Sequence, residues 1–450
     1  MSTHRLQALA AIVLAAVAAL AAGLALNRPA PPAVKEIASL AAVLRTNEPV
    51  LSVPAQLSKF NRLTANLEAR ARNDPSAPYW QTWAWLNELT LFVRSPHTFI
   101  YFWQASPNIY PVAFYWTSTG LAVSAWPQQG DLFPEFSQVV TLAGMSPARL
   151  LVRLQAVTAG NSYWVRRFGS IELPFPYLLH WIGAIGSSGT LHLTVREPDG
   201  QVKSVIIRPL SGPLTRSRVT ALNAWAIAHM RFPVDQAYSW YIDARHRYGV
   251  FRIPMMAWNT TLQTDLRAFF VAVEKDGLHR VLFDVRDDPG GNSCVMNAVA
   301  VYLPGGASTI GQCGTAPPPT AGLLFSGRVY VAQGWGSFSS AAQFPAALSQ
   351  LPEVTVIGAP TGGSPSGDFG DIVMFKIATP SKSLVGQVGT TQICFLSYLF
   401  RSAPASASPP PVPNGCPLIP TFEPEVPIPF TLQDLRAHVD PVIQWMNAQP

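Results

Sequence analysis

The stretch "GRVYVAQGWGSFSSAAQF", residues 327–344, predicts a buried strand, a glycine-rich turn and the start of a helix. Its first half is a short continuous apolar run, which is typical of a strand covered on both faces. Apolar residues at helical spacing follow the turn. Ser339 and Ser340 are therefore expected at the carboxyl end of a strand and at a helix N-terminus, where backbone N–H groups lack helical partners.

Two further stretches repeat this pattern of a short apolar run that ends in glycine or proline. They are "HRVLFDVRDDPGG", residues 279–291, and "VTVIGAPTGG", residues 354–363. Helical patterns at 293–303 and 340–351 lie between them. Buried strands that alternate with helices predict an α/β fold with a mainly parallel sheet and flanking helices. In such sheets, binding and catalytic residues usually lie at the carboxyl ends of the strands.

The composition bounds the class of protein. Of 450 residues, 48% are hydrophobic and 12% are charged, which allows a large core and excludes a disordered chain. The net charge of +6 comes without a dense Lys/Arg run, so nucleic-acid binding is not expected. The chain contains no CxxC or HExxH motif, so we expect no metal site, and we expect no cofactor.

The N-terminal segment 1–30 predicts export. Arg5 precedes an apolar, alanine-rich run, and Ala19-Leu20-Ala21 is a suitable site for signal cleavage. An uncleaved membrane anchor is the alternative, because the run is just long enough to span a bilayer. Either interpretation places the rest of the chain outside the cytoplasm, in the periplasm or secreted, with membrane association through this segment in the second case.

The cysteines agree with an exported chain. There are four, and an even number in an oxidising compartment predicts two disulfides. Sequence order suggests Cys294–Cys313 and Cys394–Cys416, although three pairings are open.

Three regions are expected after the N-terminal segment. Residues 31–128 combine helical patterns with β-like aromatic stretches. Residues 129–215 form a small module with a strand–glycine–helix pattern and a predicted hairpin around Pro198-Asp199-Gly200. Residues 216–450 contain the α/β pattern.

A helix cap is the plain interpretation of Ser339, since serine is a preferred N-cap residue, and a nucleophile presented by a sharp turn is the alternative.

The strings around Ser339 carry a family resemblance. "VLFDVRDDPGGN", "SFSSA" and "VIGAPTGGSP" together resemble the motifs of the S41 peptidases, the family of the C-terminal processing (tail-specific) proteases. The resemblance implies an α/β catalytic core preceded by a PDZ-like module, here degenerate. The register of the strings implies Ser339, rather than Ser340, as the nucleophile. N–H groups near Gly290, Gly291 and Ser340 are the implied oxyanion donors.

The catalytic base expected for this chain differs from the base of the tail-specific branch of the family. Ser364 occupies the position of the lysine base of that branch, and the nearest lysine, Lys376, falls on a predicted strand. Another branch uses a histidine from the N-terminal region. "VRSPHTFIYF" offers His97, followed by Thr98, and an imidazole is a suitable base for a serine hydroxyl. A hydrogen-bonded structural histidine is the alternative.

The third catalytic residue is implied to be an acid in "GGSPSGDFGD", residues 362–371. The match selects Asp371, with Asp368 as second choice; either is also an ordinary turn residue. In the family's pattern an asparagine stands where this chain has Asp288.

Taken together, the motifs that resemble the family predict an exported serine endopeptidase that acts on protein or peptide substrates. The alternative is an inactive S41-like protein that binds a peptide or other ligand.

Overall fold

The structure, a computed structural model, describes most of the chain after the N-terminal segment. The described residues are 30–101, 108–126, 132–210, 238–310, 323–378, 383–394 and 419–450. Within these ranges no helix is both long and apolar enough to cross a membrane. The predicted export segment, 1–29, lies outside them.

Three helices build the N-terminal region: α1 (Pro32–Asn47), α2 (Pro54–Asn73) and α3 (Tyr79–Val93). The first two begin with a proline at the first helical position, where the missing N–H costs no hydrogen bond. Trp83 and Trp85 of α3 are buried in the hydrophobic cluster that these helices share. The predicted helical N-terminal region is therefore confirmed.

The main sheet contains six strands in the order β14-β11-β10-β9-β8-β7. The strands are β7 (Ser239–Asp243), β8 (Tyr248–Arg252), β9 (Arg280–Asp284), β10 (Arg328–Gln333), β11 (Val354–Gly358) and β14 (Val426–Pro427). All neighbours pair in parallel except β7 and β8. The mainly parallel sheet predicted from the apolar runs is confirmed.

Helices cover this sheet on both sides. One side is covered by α7 (Thr260–Lys275), α8 (Cys294–Ala300), α9 (Gly306–Ile310) and α10 (Ser340–Leu348), and the other by α12 (Pro441–Ala448). Helix α11 (Leu432–Ala437) packs instead on the five-stranded sheet described next. Phe251, Phe269 and Phe283 are fully buried in the larger cluster between strands and helices. Because β9, β10 and β11 are parallel, the loops after them lie at one edge of the sheet.

A second, five-stranded sheet forms a separate module. Its strands, in sheet order, are β2 (Val112–Thr117), β3 (Gly120–Ala125), β4 (Ser137–Leu142), β5 (Leu191–Arg196) and β6 (Val202–Ile207). Helices α4 (Pro147–Gln155), α5 (Ser162–Glu172) and α6 (Pro176–Trp181) connect β4 to β5. The predicted hairpin is present as β5 and β6. The boundary expected at residue 129 falls inside this sheet, between β3 and β4.

A third sheet joins the N-terminal region to the end of the chain. It has the order β1-β13-β12, with β1 (Phe99–Ile100), β12 (Gly367–Ala378) and β13 (Ser383–Cys394). Phe99 lies opposite Gln387 in an antiparallel pair. This pairing holds the segment that contains His97 beside β13, which lies between β11 and β14 of the main sheet in sequence.

The cysteines are only partly described. Cys294 is disulfide-bonded. The predicted partner Cys313 and the predicted pair Cys394–Cys416 lie outside the described side chains, so the pairing stays a prediction.

Candidate active site

Ser339 lies in a strained turn between β10 and α10. Its φ angle is +54°, a left-handed conformation that residues other than glycine adopt rarely. It occupies the N-cap position of α10, but its side chain makes no capping hydrogen bond. The residue is partly exposed, and no hydrogen bond of its hydroxyl is found among the described residues. A strained serine between a strand and a helix, with its hydroxyl unused by the fold, is the local geometry of a nucleophile elbow.

Hydrogen bonds fasten this turn to the end of β9. The buried Ser337 hydroxyl donates to the Val285 carbonyl at 2.7 Å. The backbone N–H of Phe338 donates to the Asp288 carbonyl at 3.0 Å. The position of Ser339 is therefore set by the neighbouring strand end, which can support a strained conformation.

Ser340 has a different role from Ser339. Its hydroxyl donates to the Gly291 carbonyl at 2.7 Å, so it ties α10 to the glycine loop. Its backbone N–H, at the first position of the helix, has no partner within α10. The geometry thus separates the two serines: one hydroxyl is structural and the other is available.

The glycine loop packs directly on Ser339. Gly290 has a φ angle of +100°, and a Cβ atom there would lie 2.6 Å from the Ser339 Cβ. Gly291 has a φ angle of +137°, and a Cβ atom there would clash with the Met256 carbonyl. Both positions therefore require glycine for backbone conformation and for space.

One of the predicted oxyanion donors is already used by the fold. The Gly290 N–H donates to the Asp288 carboxyl at 2.7 Å. In the described part of the chain, the N–H groups of Gly291 and Ser340 donate to no other residue. These two groups are therefore the available donors. Gly290 instead allows its backbone to pack directly on Ser339.

Asp288 is a fully buried acid at the centre of this loop. Burial raises the pKa of its carboxyl well above the usual value, although N–H groups of Gly290 and Met256 oppose the shift. Its second oxygen has no hydrogen-bond partner among the described residues. A neutral carboxyl here resembles the asparagine of the family pattern in charge and shape.

His97 lies at the other side of the Ser339 turn. Its ring is buried, and its centroid is 4.6 Å from that of Phe338, the residue before Ser339. Trp164 of α5 stacks on Phe338 at 4.0 Å. The backbone N–H of His97 donates to the Ser95 hydroxyl at 3.2 Å. Residues from all three regions therefore meet at Phe338, the residue that directly precedes Ser339.

A buried carboxylate that contacts Thr98, the residue after His97, was not predicted from the sequence. Thr98 donates its hydroxyl to the Glu48 carboxylate and accepts the Gly389 N–H at 3.1 Å. Glu48 is 3% exposed and directly follows α1. No local signal identifies it, because it lies 49 residues before His97 and only the packing of α1 brings it there.

The predicted acid Asp371 lies in a different environment. Its side chain is exposed on β12, its φ angle is +49°, and its carbonyl accepts the Thr390 hydroxyl. Strand β13 separates β12 from β1, the strand that follows His97. Asp368 is on the same strand, and its side chain lies outside the described residues. Lys376 is exposed on β12.

A buried ion-pair network supports the loop after β9. Arg286 pairs with Asp284 at 2.7 Å and with Asp440 at 2.8 Å. The two carboxylates raise the pKa of Arg286 well above its ordinary value and more than offset the effect of burial. Asp440 also caps α12, and the Asp440-Pro441 pair is a sequence signal for a helix start.

The described residues contain no group of three or more His, Cys, Asp or Glu side chains that could hold a metal ion.

Residues 247–371 match the sequence model of peptidase family S41. This core belongs to that family. The matched S41 residues include the glycine loop, Ser339 and Asp371, whereas His97 and Glu48 precede them. No curated protein matches the chain by sequence.

Solved structures extend the likeness beyond the S41 core. Mature CPAF superposes with a TM-score of 0.60 at 12% identity, over 92% of this chain and 96% of that chain. A CPAF mutant superposes with a TM-score of 0.61 at 11% identity, over the same shares. The complex of mature CPAF with lactacystin has a TM-score of 0.59. The arrangement of the S41 core with its two preceding regions is thus a known fold, and the S41 family supports a peptidase, a hydrolase of peptide bonds.

Proposed function

We propose that this protein is a serine endopeptidase in which Ser339 is the nucleophile and His97 is the general base. The observation that carries the proposal is the Ser339 turn. The fold holds this residue at a φ angle of +54° and uses the Ser340 hydroxyl, not the Ser339 hydroxyl, for structure. Strain of this kind costs about 1–3 kcal/mol and is concentrated at functional sites.

The proposed reaction follows the acyl-enzyme route. His97 takes the proton of the Ser339 hydroxyl as the oxygen attacks the peptide carbonyl. The N–H groups of Gly291 and Ser340 stabilise the oxyanion, and one such donor is typically worth about 10²–10³-fold in rate. His97 then gives its proton to the leaving amine, and a water molecule activated by His97 hydrolyses the acyl-enzyme.

Two acids are candidates to position His97. Asp371 is the acid that the sequence match selects, and it is exposed on β12. Glu48 is buried and bonded to Thr98, the residue next to His97. The geometry favours Glu48 as the positioning residue, because a buried carboxylate next to the histidine segment acts at low effective dielectric.

We further propose that the enzyme is exported and acts on protein or peptide chains. The apolar N-terminal segment and the disulfide at Cys294 support this location. The five-stranded module fits a PDZ-like domain that positions a substrate chain beside the S41 core.

Hydrolysis of an unfolded protein tests the proposal. Wild-type protein should cleave reduced casein, and Ser339→Ala should abolish cleavage while Ser340→Ala retains part of it. Lactacystin, which CPAF binds in a solved complex, should inhibit the wild-type enzyme. Cleavage that persists in Ser339→Ala would contradict the assignment. A folded wild-type protein that cleaves nothing would favour the inactive, ligand-binding alternative.

A further inference from the structure

A large groove lies between the five-stranded module and the S41 core. Its volume is about 740 Å³, within the range of ligand sites. Strand β2, helix α5 and the loops after β9, β10 and β11 contribute to its walls. We call it the inter-module groove and define it by its main side chains: Phe114, Trp116, Tyr163, Arg166, Trp335 and Phe430.

The groove is mostly apolar but has an excess of positive charge. Its lining contains Arg166, Arg167 and Arg286, against the single acid Asp287. Arg167 pairs with Asp287 at 3.3 Å. Arg286 pairs with Asp284 and Asp440, as described above. The acids of this region are therefore neutralised by two of the three arginines.

Arg166 is the remaining cation of the groove. Its guanidinium lies over two aromatic rings, 5.4 Å from the Trp335 centroid and 5.7 Å from the Tyr163 centroid. It makes no ion pair or hydrogen bond to an acid within the described ranges. Partial burial lowers the pKa of Arg166, yet an arginine keeps its charge at neutral pH.

The aromatic rings hold the guanidinium without using its hydrogen-bonding capacity. A guanidinium stacked on ring faces keeps its N–H donors at the edge of its plane, where they match the two oxygens of a carboxylate.

One residue that lines the groove is close in sequence to the candidate nucleophile, Ser339. Trp335, which supports Arg166, precedes Ser339 by four residues, so their Cα atoms are at most about 15 Å apart. The Arg166 guanidinium lies beyond the Trp335 ring, on the order of 10 Å from the Trp335 Cα, so about seven residues of an extended peptide span the whole distance. A peptide bond at Ser339 and a group at Arg166 can therefore belong to the same bound chain.

We propose that Arg166 binds a carboxylate of an otherwise apolar peptide substrate, within about seven residues of the bond cleaved at Ser339. The carboxylate is either an Asp or Glu side chain or the C-terminus of the substrate. This inference rests on the proposed peptidase function for its substrate, and it assigns Arg166 as a specificity-determining residue.

Binding to an inactive variant tests the inference without turnover. Three fluorescein-labelled twelve-residue peptides of Ala, Leu and Phe are compared on Ser339→Ala protein by fluorescence polarisation. One carries a single Glu and an amidated C-terminus, one carries Gln and a free C-terminus, and one carries Gln and an amidated C-terminus. At least one acidic peptide should bind about tenfold or more tightly than the neutral one, and which of them does so identifies the source of the carboxylate.

Variants then assign that preference to Arg166. In the Ser339→Ala background, Arg166→Gln should abolish the preference, Arg166→Lys should keep part of it, and Arg149→Gln, an exposed arginine of the same module, should leave it unchanged. In the active enzyme, Arg166→Gln should raise KM for the preferred peptide with little change in kcat.

Three results would overturn the inference: no binding of any peptide, equal binding of all three, or equal loss for all three in Arg166→Gln. Selective binding by a protein that proves unable to cleave would instead overturn only the peptidase function.

Discussion

Gly290 packs so closely on Ser339 that a methyl group at position 290 would lie 2.6 Å from the Ser339 Cβ. Real Cβ atoms do not approach each other to this distance, so the glycine loop and the serine turn can occupy their places only together. This contact joins two segments that are far apart in sequence, the end of β9 and the start of α10. It makes Gly290 as necessary to the site as the residues with chemical groups.

Gly290→Ala should therefore lower kcat/KM by at least about 100-fold, since displacement of a nucleophile by 1 Å costs about that much. Gly200→Ala is the matched control. Gly200 has a similar φ angle of +93°, but a Cβ atom there would meet no other atom within 4 Å. The control should lose only about 1–3 kcal/mol of stability and keep its activity. Equal activity of the two variants would show that the contact does not matter.

Glu48→Gln should lower kcat about tenfold or more with little change in KM, if Glu48 positions His97 through Thr98. Asp371→Asn should stay within about twofold of wild type, because that side chain is exposed on β12. Peptide kinetics over a range of pH measure both, and the profile of Glu48→Gln should shift along the pH axis. The reverse ranking of the two variants would restore Asp371 to the role predicted from sequence.

Asp288→Asn should keep most of the activity at neutral pH and lose less activity at alkaline pH than wild type. The pKa of the buried Asp288 carboxyl is raised, so it is neutral until the pH exceeds that pKa. Above that point a negative charge beside the oxyanion donors would oppose the transition state. The pH dependence of kcat/KM measures the effect. An unchanged alkaline limb in Asp288→Asn would exclude Asp288 as its cause.

Glu36→Gln should flatten the pH dependence of stability. Glu36 of α1 is buried, and burial raises the pKa of its carboxyl from its ordinary value of 4.5 to about 7. The folded state thus holds its proton more tightly than the unfolded state, and wild-type stability falls as pH rises from about 4.5 to 7. The fall contributed by this group is about 3 kcal/mol at most.

Urea unfolding at pH 4.5 and pH 8 measures this difference. Glu36→Gln should lose less stability between the two values than wild type. Glu274→Gln, at an exposed position of α7, is the control and should behave as wild type does. The same loss in all three proteins would contradict the account of Glu36.

The sequence predicted those parts of the molecule that local pattern determines. Apolar runs ending in glycine or proline identified β9, β10 and β11, and the order of strands and helices identified a parallel sheet. The three motif strings also identified the S41 family, which the match over residues 247–371 confirms.

Features that depend on tertiary packing were not predictable in the same way. Glu48 reaches Thr98 only because α1 packs beside β13, and Arg166 faces the S41 core only because α5 lies against the loop after β10. The use of the Gly290 N–H by Asp288 depends on a turn whose hydrogen bonds no residue pattern specifies. The roles of Ser339, His97 and Asp371 stay predictions until their chemistry is measured.

The most direct measurement is the labelling of folded wild-type protein by a fluorophosphonate, with mass spectrometry to locate the adduct. We expect an adduct on Ser339, and we expect His97→Ala to lose it while its circular dichroism spectrum is unchanged. No adduct on the folded protein, or an adduct on another serine, would contradict the claim that Ser339 is an activated nucleophile.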